Sequence, residues 1–170
     1  MKKYSIKPNE KLNRELLIYG LIMFIFIIIT YLSIDIDEDI ELLILVSSII
    51  IICYSVLFLF PVFILQANYS KYNKKTELVL LKDYIIINNE TIQLDSIVEV
   101  NIYATHQYFS GHVGASTLTF NEYFYYLEII VLKNKKYILT SLLGNDIDKS
   151  FYKYYPDLVY NKVKRFPLVK

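Results

Sequence analysis

The chain contains no tryptophan, one cysteine, four glycines and a formal net charge of only +1 across 170 residues. The lone Cys53 rules out an internal disulfide framework and any metal centre built from several cysteines. Near-neutrality removes bulk electrostatics as a route to nucleic acid or another polyanion. Scarce glycine and absent tryptophan, beside abundant Ile, Asn, Lys and Tyr, look like the residue usage of an AT-rich bacterial genome. What is plentiful is apolar surface: 55% of residues are hydrophobic, although a near-normal 21% are charged. The apolar residues must therefore be concentrated in segments.

Two segments hold them. Leu16–Ser33 is eighteen residues without a charge, twelve of them Leu, Ile or Phe. As a helix it covers roughly 27 Å, close to the hydrocarbon thickness of a bilayer. At about 0.3 to 0.6 kcal/mol each, those twelve side chains favour insertion by roughly 4 to 7 kcal/mol. Leu42–Leu65 is twenty-four uncharged residues, about 36 Å as a helix. That is longer than needed, so it is expected to tilt or to end early, with Pro61 as the bend. Ser47, Ser48 and Ser55 are expected where the two helices approach each other. Apolarity all around each helix argues against a pair of helices inside a soluble core. The first run is also too long for a signal peptide and ends without a small-residue cleavage site.

The flanks orient the hairpin. Lys2, Lys3, Lys7, Lys11 and Arg14 precede the first run, and Lys71, Lys74 and Lys75 follow the second. The connection 34–41 (IDIDEDIE) carries five carboxylates and no base. By the positive-inside rule both termini are cytoplasmic and the acidic turn is external, as in a multi-pass protein of a bacterial inner membrane. Lys11, Arg14, Lys71, Lys74 and Lys75 are expected to contact anionic headgroups. The alternating Asp35, Asp37 and Asp39 imitate the opening of a calcium loop, but its twelfth position would be Val46 and its sixth Ile40, neither of which suits that loop.

The expected organisation is thus a basic tail (1–15), a transmembrane hairpin (16–65, with helices 16–33 and 42–65), a basic linker (66–75) and a cytoplasmic domain (76–170). Within that domain short strands are expected at Thr76–Leu81, Tyr84–Ile87 and Thr91–Leu94. Another follows, with Val98, Val100 and Ile102 on its inner face. A long hairpin pairs Tyr123–Leu132 with Lys136–Leu143 across 133–135. Asp146 is placed to cap a helix that buries Ile147, Phe151, Tyr154 and Tyr155 and stops at Pro156. The tail 158–169 has weak strand character.

The order of short strands, the bend "IQLDSIVEV", the hairpin "YYLEIIVLKNKKYILTSLLG" and a following helix resembles bacterial pleckstrin-homology-like (PH-like) domains carried on short transmembrane hairpins. The ending "VKRFPLV" is similar to small Bacteroidetes membrane proteins of that type. The resemblance implies an α+β fold, with a curled antiparallel sheet capped by a C-terminal helix, that serves as a binding platform. It does not bring phosphoinositide binding with it, because the first hairpin turn offers only Lys82 beside Asp83.

No positioned acid, base and nucleophile emerge, so no catalytic residue and no cofactor are expected. His106 and His112 have no third ligand nearby, which argues against a metal site. The run Tyr123–Tyr126 lacks the basic stripe of a single-strand platform, so nucleic acid is not an expected partner. Tyr108, Phe109, His112, Val113, Leu118 and Phe120 crowd a glycine-containing loop, the candidate surface for a protein partner. A non-enzymatic, membrane-tethered interaction or scaffold module is the reading these features favour, with the lipid bilayer and an unidentified protein as partners and homo-oligomers open. An immunity protein that binds a toxin or pore former is the alternative. A lipid or peptide hydrolase using His106 or His112 is the remote one.

Overall fold

The structure, a computed structural model, describes residues 2–6, 9–33, 36–73, 76–111 and 120–170. It begins with a short strand, β1 (Lys2–Tyr4), and then enters helix α1 (Glu10–Ser33). Asn9 caps α1, its Oδ1 accepting the Leu12 N–H at 3.1 Å. The second helix is one long rod in three parts: α2 (Ile36–Tyr54), a π turn (Ser55–Leu59) and α3 (Phe60–Asn73). Pro61 explains the irregular turn. It lacks an N–H and its ring crowds the carbonyl one turn back, so the preceding turn widens and the Phe60 N–H reaches Ser55 O.

These helices are both long and apolar enough to cross a membrane, and their most apolar windows bury nothing inside the protein. A helix of a soluble core would instead be mostly buried. They meet at Gly20, where a Cβ would lie 3.2 Å from the Tyr54 hydroxyl oxygen. That hydroxyl donates to Leu16 O at 2.8 Å. Gly20 and Tyr54 thus lie in the contact; of the three serines, Ser48 is exposed and Ser47 and Ser55 are half-buried.

Two boundaries differ from the sequence reading. The acidic connection is shorter, since residues from Ile36 onward are helical. The stretch expected as a linker is helix as far as Asn73, and Val62, Leu65, Tyr69 and Asn73 are buried on it. Their spacing of three, four and four puts them on one helical face. That face belongs to a core shared with the domain. The freely exposed apolar stretch of the second helix is therefore Leu42–Phe60 with Phe63, and from Leu42 to Phe60 it is about 28 Å long.

The remainder comprises β2 (Leu78–Leu80), β3 (Tyr84–Ile87), β4 (Glu90–Gln93), β5 (Ile97–Ala104), α4 (His106–Phe109), β6 (Tyr126–Val131), β7 (Lys135–Thr140), α5 (Ile147–Tyr154) and β8 (Val159–Val163). They form two four-stranded sheets, ordered β1-β2-β3-β4 and β7-β6-β5-β8. The fold is α+β, but instead of one strongly curled sheet there are two sheets facing a shared core. β1 pairs antiparallel with β2, Lys2 opposite Leu80, so the residues before α1 complete a sheet formed after α3. Asn88 and Asn89, both with positive φ (50° and 66°), make the two-residue turn between β3 and β4. β8, the weak strand of the tail, runs parallel to β5.

One expected inward residue faces out. The register shifts between Ile97 and Glu99, so Val98 is a bulge residue and is 52% exposed. The inner face of β5 is carried by Ile97, Val100, Ile102 and Ala104. Side chains of both sheets meet those of α5, where Ile147, Phe151 and Tyr155 are buried as expected, with Tyr154 only half-buried. Asp146 precedes α5 but makes no side-chain cap; its carboxylate instead pairs with Lys2.

A second core joins the hairpin to the domain. Leu12 of α1 and Val62, Leu65 and Tyr69 of α3 pack with Phe120, Tyr123, Phe124, Tyr126 and Val169. Phe120 is central: its ring lies 5.5 Å from both Tyr19 and Phe58. The tail closes the joint, with Asn68 making two bonds to the Val169 backbone and the Tyr69 hydroxyl donating to Pro167 O.

Candidate functional site

Beside this joint, between the start of α1, the turn after β5 and the start of α5, lies a cavity of about 380 Å³. Asn9 and Lys11 reach it from α1, Tyr108 and Gly111 from the β5 side, Tyr123 and Tyr125 from the approach to β6, and Asn145, Asp148 and Lys149 from around α5. Each is placed by a local cause. Thr105 caps the short α4 by accepting the Tyr108 N–H at 3.2 Å, which turns Tyr108 back toward the core. The Tyr125 hydroxyl donates to Gly144 O at 2.8 Å and accepts the Ile147 N–H at 3.1 Å, so it fixes the beginning of α5.

Asp148 is the unusual member. It sits in the first turn of α5 and is only 4% exposed. Its Oδ2 accepts the Tyr108 hydroxyl at 2.7 Å, whereas its Oδ1 is buried with no hydrogen-bond partner. Buried carboxylate oxygens seldom stay unpaired, because the lost hydration is not returned. Burial pushes the Asp148 carboxyl above the usual carboxylate range, opposed in part by the Tyr108 hydrogen bond. Burial and the Asp148 charge push the Tyr108 phenol upward, and burial does the same for Tyr125. Both phenols remain protonated donors at neutral pH.

The aromatic walls are close together. The Tyr108 and Tyr125 rings are 5.0 Å apart and tilted by 39°. The Lys11 ammonium lies 5.5 Å from the centroid of Tyr123, whose hydroxyl donates to Glu15 on the next turn of α1. The arrangement offers a buried acceptor, aromatic faces and two exposed ammonium groups around one opening.

The residues singled out from sequence are distributed differently. Tyr108 lines the cavity, and Phe109 is half-buried against the main core. Phe120 is buried in the hairpin joint and is not a free contact for a partner. His112, Val113 and Leu118 lie outside the described residues, as do Lys74 and Lys75. Lys11, Arg14 and Lys71 are exposed on the helix segments nearest the domain, and Lys11 alone of these reaches the cavity. His106 is exposed on α4, and no group of three potential metal ligands occurs among the described residues.

Asp148, Tyr123 and Tyr125 were not anticipated as site residues. The signal was the spacing of α5: Asp148 precedes Phe151 by three positions and Tyr155 by seven, which places a carboxylate on the buried face. No family model, curated protein or solved structure matches this chain.

Proposed function

We propose that this chain is a non-enzymatic interaction module, held at the cytoplasmic face of a bacterial inner membrane by a two-helix transmembrane hairpin and presenting a PH-like platform there. One observation carries the reading. The apolar stretches of both helices are exposed, while their domain-proximal turns are built into the domain's own core through Leu12, Val62, Leu65 and Tyr69. Exposed apolar surface on that scale needs lipid around it. With no slack between helix and domain, the platform is held at headgroup level instead of trailing from a tether.

The side is argued from charge. Lys2, Lys3, Lys11 and Arg14 flank the domain end of the first helix, and the far end carries the acidic connection. The pairing of β1 with β2 supports the same sidedness for the residues before α1 and after α3. Binding rather than turnover suits the cavity, where hydrogen-bonding and aromatic groups surround one buried carboxylate.

The test uses the full chain with Cys53→Ser and one new cysteine, expressed in bacterial cells. A membrane-impermeant maleimide is expected to label Glu41→Cys in intact cells and Tyr160→Cys only after lysis. Carbonate washing is expected to leave the protein in the membrane pellet. Labelling of Tyr160→Cys in intact cells, or a protein soluble without detergent, overturns the reading.

A further inference from the structure

The sheet β7-β6-β5-β8 has two outer strands, and only one of them is covered. Asn73 closes the free edge of β7 through Thr140 and Ile138. The free edge of β8 has no such cover: every residue from Tyr160 to Val163 is exposed, Tyr160 by 50% and Val163 by 61%. We propose that this edge receives an extended acidic segment of a protein partner, which adds antiparallel to β8 as a further strand of the sheet. The inference rests on the chain being an interaction module and deepens that reading by naming the surface and the chemistry of the partner.

The backbone is set for such an addition. β8 runs parallel to β5 with Val163 opposite Ala104, and the Lys164 N–H donates to Ala104 O at 2.7 Å. In a parallel ladder the N–H and C=O of alternate residues turn to the same neighbouring strand. Tyr160, Lys162 and Lys164 therefore direct theirs to β5, and Val159, Asn161 and Val163 direct theirs outward. Donors and acceptors are thus offered along about 13 Å of edge. The strand is also ordered in advance, since its pairing with β5 runs from Val159 to Val163 and the Tyr152 hydroxyl of α5 donates to Asn161 Oδ1. An edge already in place lowers the ordering cost of binding.

Charge selects the occupant. Residues 159–165 include Lys162, Lys164 and Arg165 and no acid. The Lys164 ammonium is turned back over the rings of Tyr103 and Tyr126, at 4.6 and 5.0 Å. Lys162 and Arg165 remain as exposed charges beside the edge. At the end of β8 lies a cavity of about 380 Å³, reached by His106, Gln107, Asn121 and Arg165, with no carboxylate among its described lining residues. A partner strand that places one acid opposite Lys162, a β-branched residue opposite Val163 and a further acid toward Arg165 matches this surface.

The probe is the peptide acetyl-EEVETYVGK with fluorescein on its lysine, written so that its first Val faces Val163 and its Thr faces Asn161. Anisotropy is read against the full chain in dodecyl maltoside micelles. Binding is expected to be about ten-fold tighter than that of the charge-reversed KKVKTYVGK. It is also expected to be about ten-fold tighter than that of the acidic peptide N-methylated at that Val and Thr, which keeps its charge and loses its ladder donors. Lys162→Glu with Arg165→Glu should invert the preference between acidic and basic peptides. In NMR, bound peptide should slow amide exchange at Val159, Asn161 and Val163 and leave Tyr160 and Lys162, already bonded to β5, unchanged. Val163→Pro removes one outward donor and no bond to β5, so it should weaken binding with the melting midpoint unchanged. Should that variant melt lower, the N-methylated peptide against the native chain carries the same test. Equal binding of acidic and basic peptides, or binding indifferent to N-methylation, overturns the proposal. So does slowing of the same three amides with rising protein concentration and no peptide, the mark of pairing between copies. Because binding is read in micelles, its failure is separate from a failure of the membrane orientation, which the labelling experiment reads.

Discussion

The side-chain amide of Asn73, the last residue of α3, is bonded into the edge of a sheet 67 residues away: its Oδ1 accepts the Thr140 N–H at 2.6 Å and its Nδ2 donates to Ile138 O at 2.9 Å. β7 is an outer strand of its sheet, so these backbone groups would otherwise be unpaired. Asn73 is 1% exposed, which closes that edge against pairing with another chain. The amide acts as a substitute strand and ties the second long helix to the domain.

Replacing Asn73 with Leu strands both backbone groups in a buried site. At roughly 1 to 3 kcal/mol for each unsatisfied group, the loss is expected to be about 2 to 6 kcal/mol. Thermal melting in detergent is the measurement, and a fall of several degrees is the expected result. Faster hydrogen exchange at Thr140 than at the amides of β6 would place the damage at the edge.

Gly144 has a neighbour that explains it. Its φ of 166° is ordinary extended backbone, but a Cβ there would lie 2.7 Å from Tyr4 Cδ1. Tyr4 is buried, and its hydroxyl shares a hydrogen bond with Ser150 at 2.6 Å. Gly144→Ala is therefore expected to displace β1 and to cost about 1 to 3 kcal/mol by overpacking. In a Tyr4→Ala background the same substitution should cost well under half as much. A double-mutant cycle on melting midpoints reads the coupling, and additive losses would show that the two residues do not meet.

The parts of this fold legible in sequence are those written locally. Continuous apolarity marked both long helices, and alternation with turn residues marked β3, β5 and the β6–β7 hairpin. The missed parts are set by distant partners. Lys2–Tyr4 is three residues with no alternation, and its partner strand lies beyond the entire hairpin. Residues 66–73 look polar, yet Tyr69 and Asn73 continue the face of Val62 and Leu65, which becomes visible once the domain core is known. The bulge that turns Val98 outward is a two-strand property that one strand's pattern does not record. Asp148 was overlooked for a related reason: an acid in a first helical turn is ordinarily explained by the helix dipole, and only tertiary burial reveals the unpaired oxygen.

The raised Asp148 carboxyl has a consequence for stability. A carboxyl that binds its proton more tightly when folded adds stability below its unfolded value, near 3.8, and that contribution disappears as pH rises through the folded value. Once it ionises, a carboxylate stripped of water by burial is a cost. Tyr108 faces it as a donor, with Tyr125, Lys149 and Lys11 at the cavity. Asp148→Asn is therefore expected to melt higher than the native protein at pH 7. The gap should narrow as pH falls from 7 toward 4, and parallel pH profiles would contradict the assignment.

The proposed division of the second helix between lipid and domain predicts opposite behaviour for two similar side chains. Leu65 is fully buried in the joint, whereas Ile52 is 61% exposed in the membrane stretch. Leu65→Ala should create a cavity beside Tyr69 and Phe124 and lower stability by about 2 to 5 kcal/mol, read as melting in detergent. Ile52→Ala should leave that melt unchanged within roughly 0.5 kcal/mol, since detergent or lipid fills the space. Substitution by Asp inverts the pattern of membrane insertion. Ile52→Asp should impair it, because a charge at mid-span costs about 3 kcal/mol on the insertion scale, while Leu65→Asp should insert normally and misfold in the domain. Equal insertion defects at both positions would return Leu65 to the bilayer and restore the longer span.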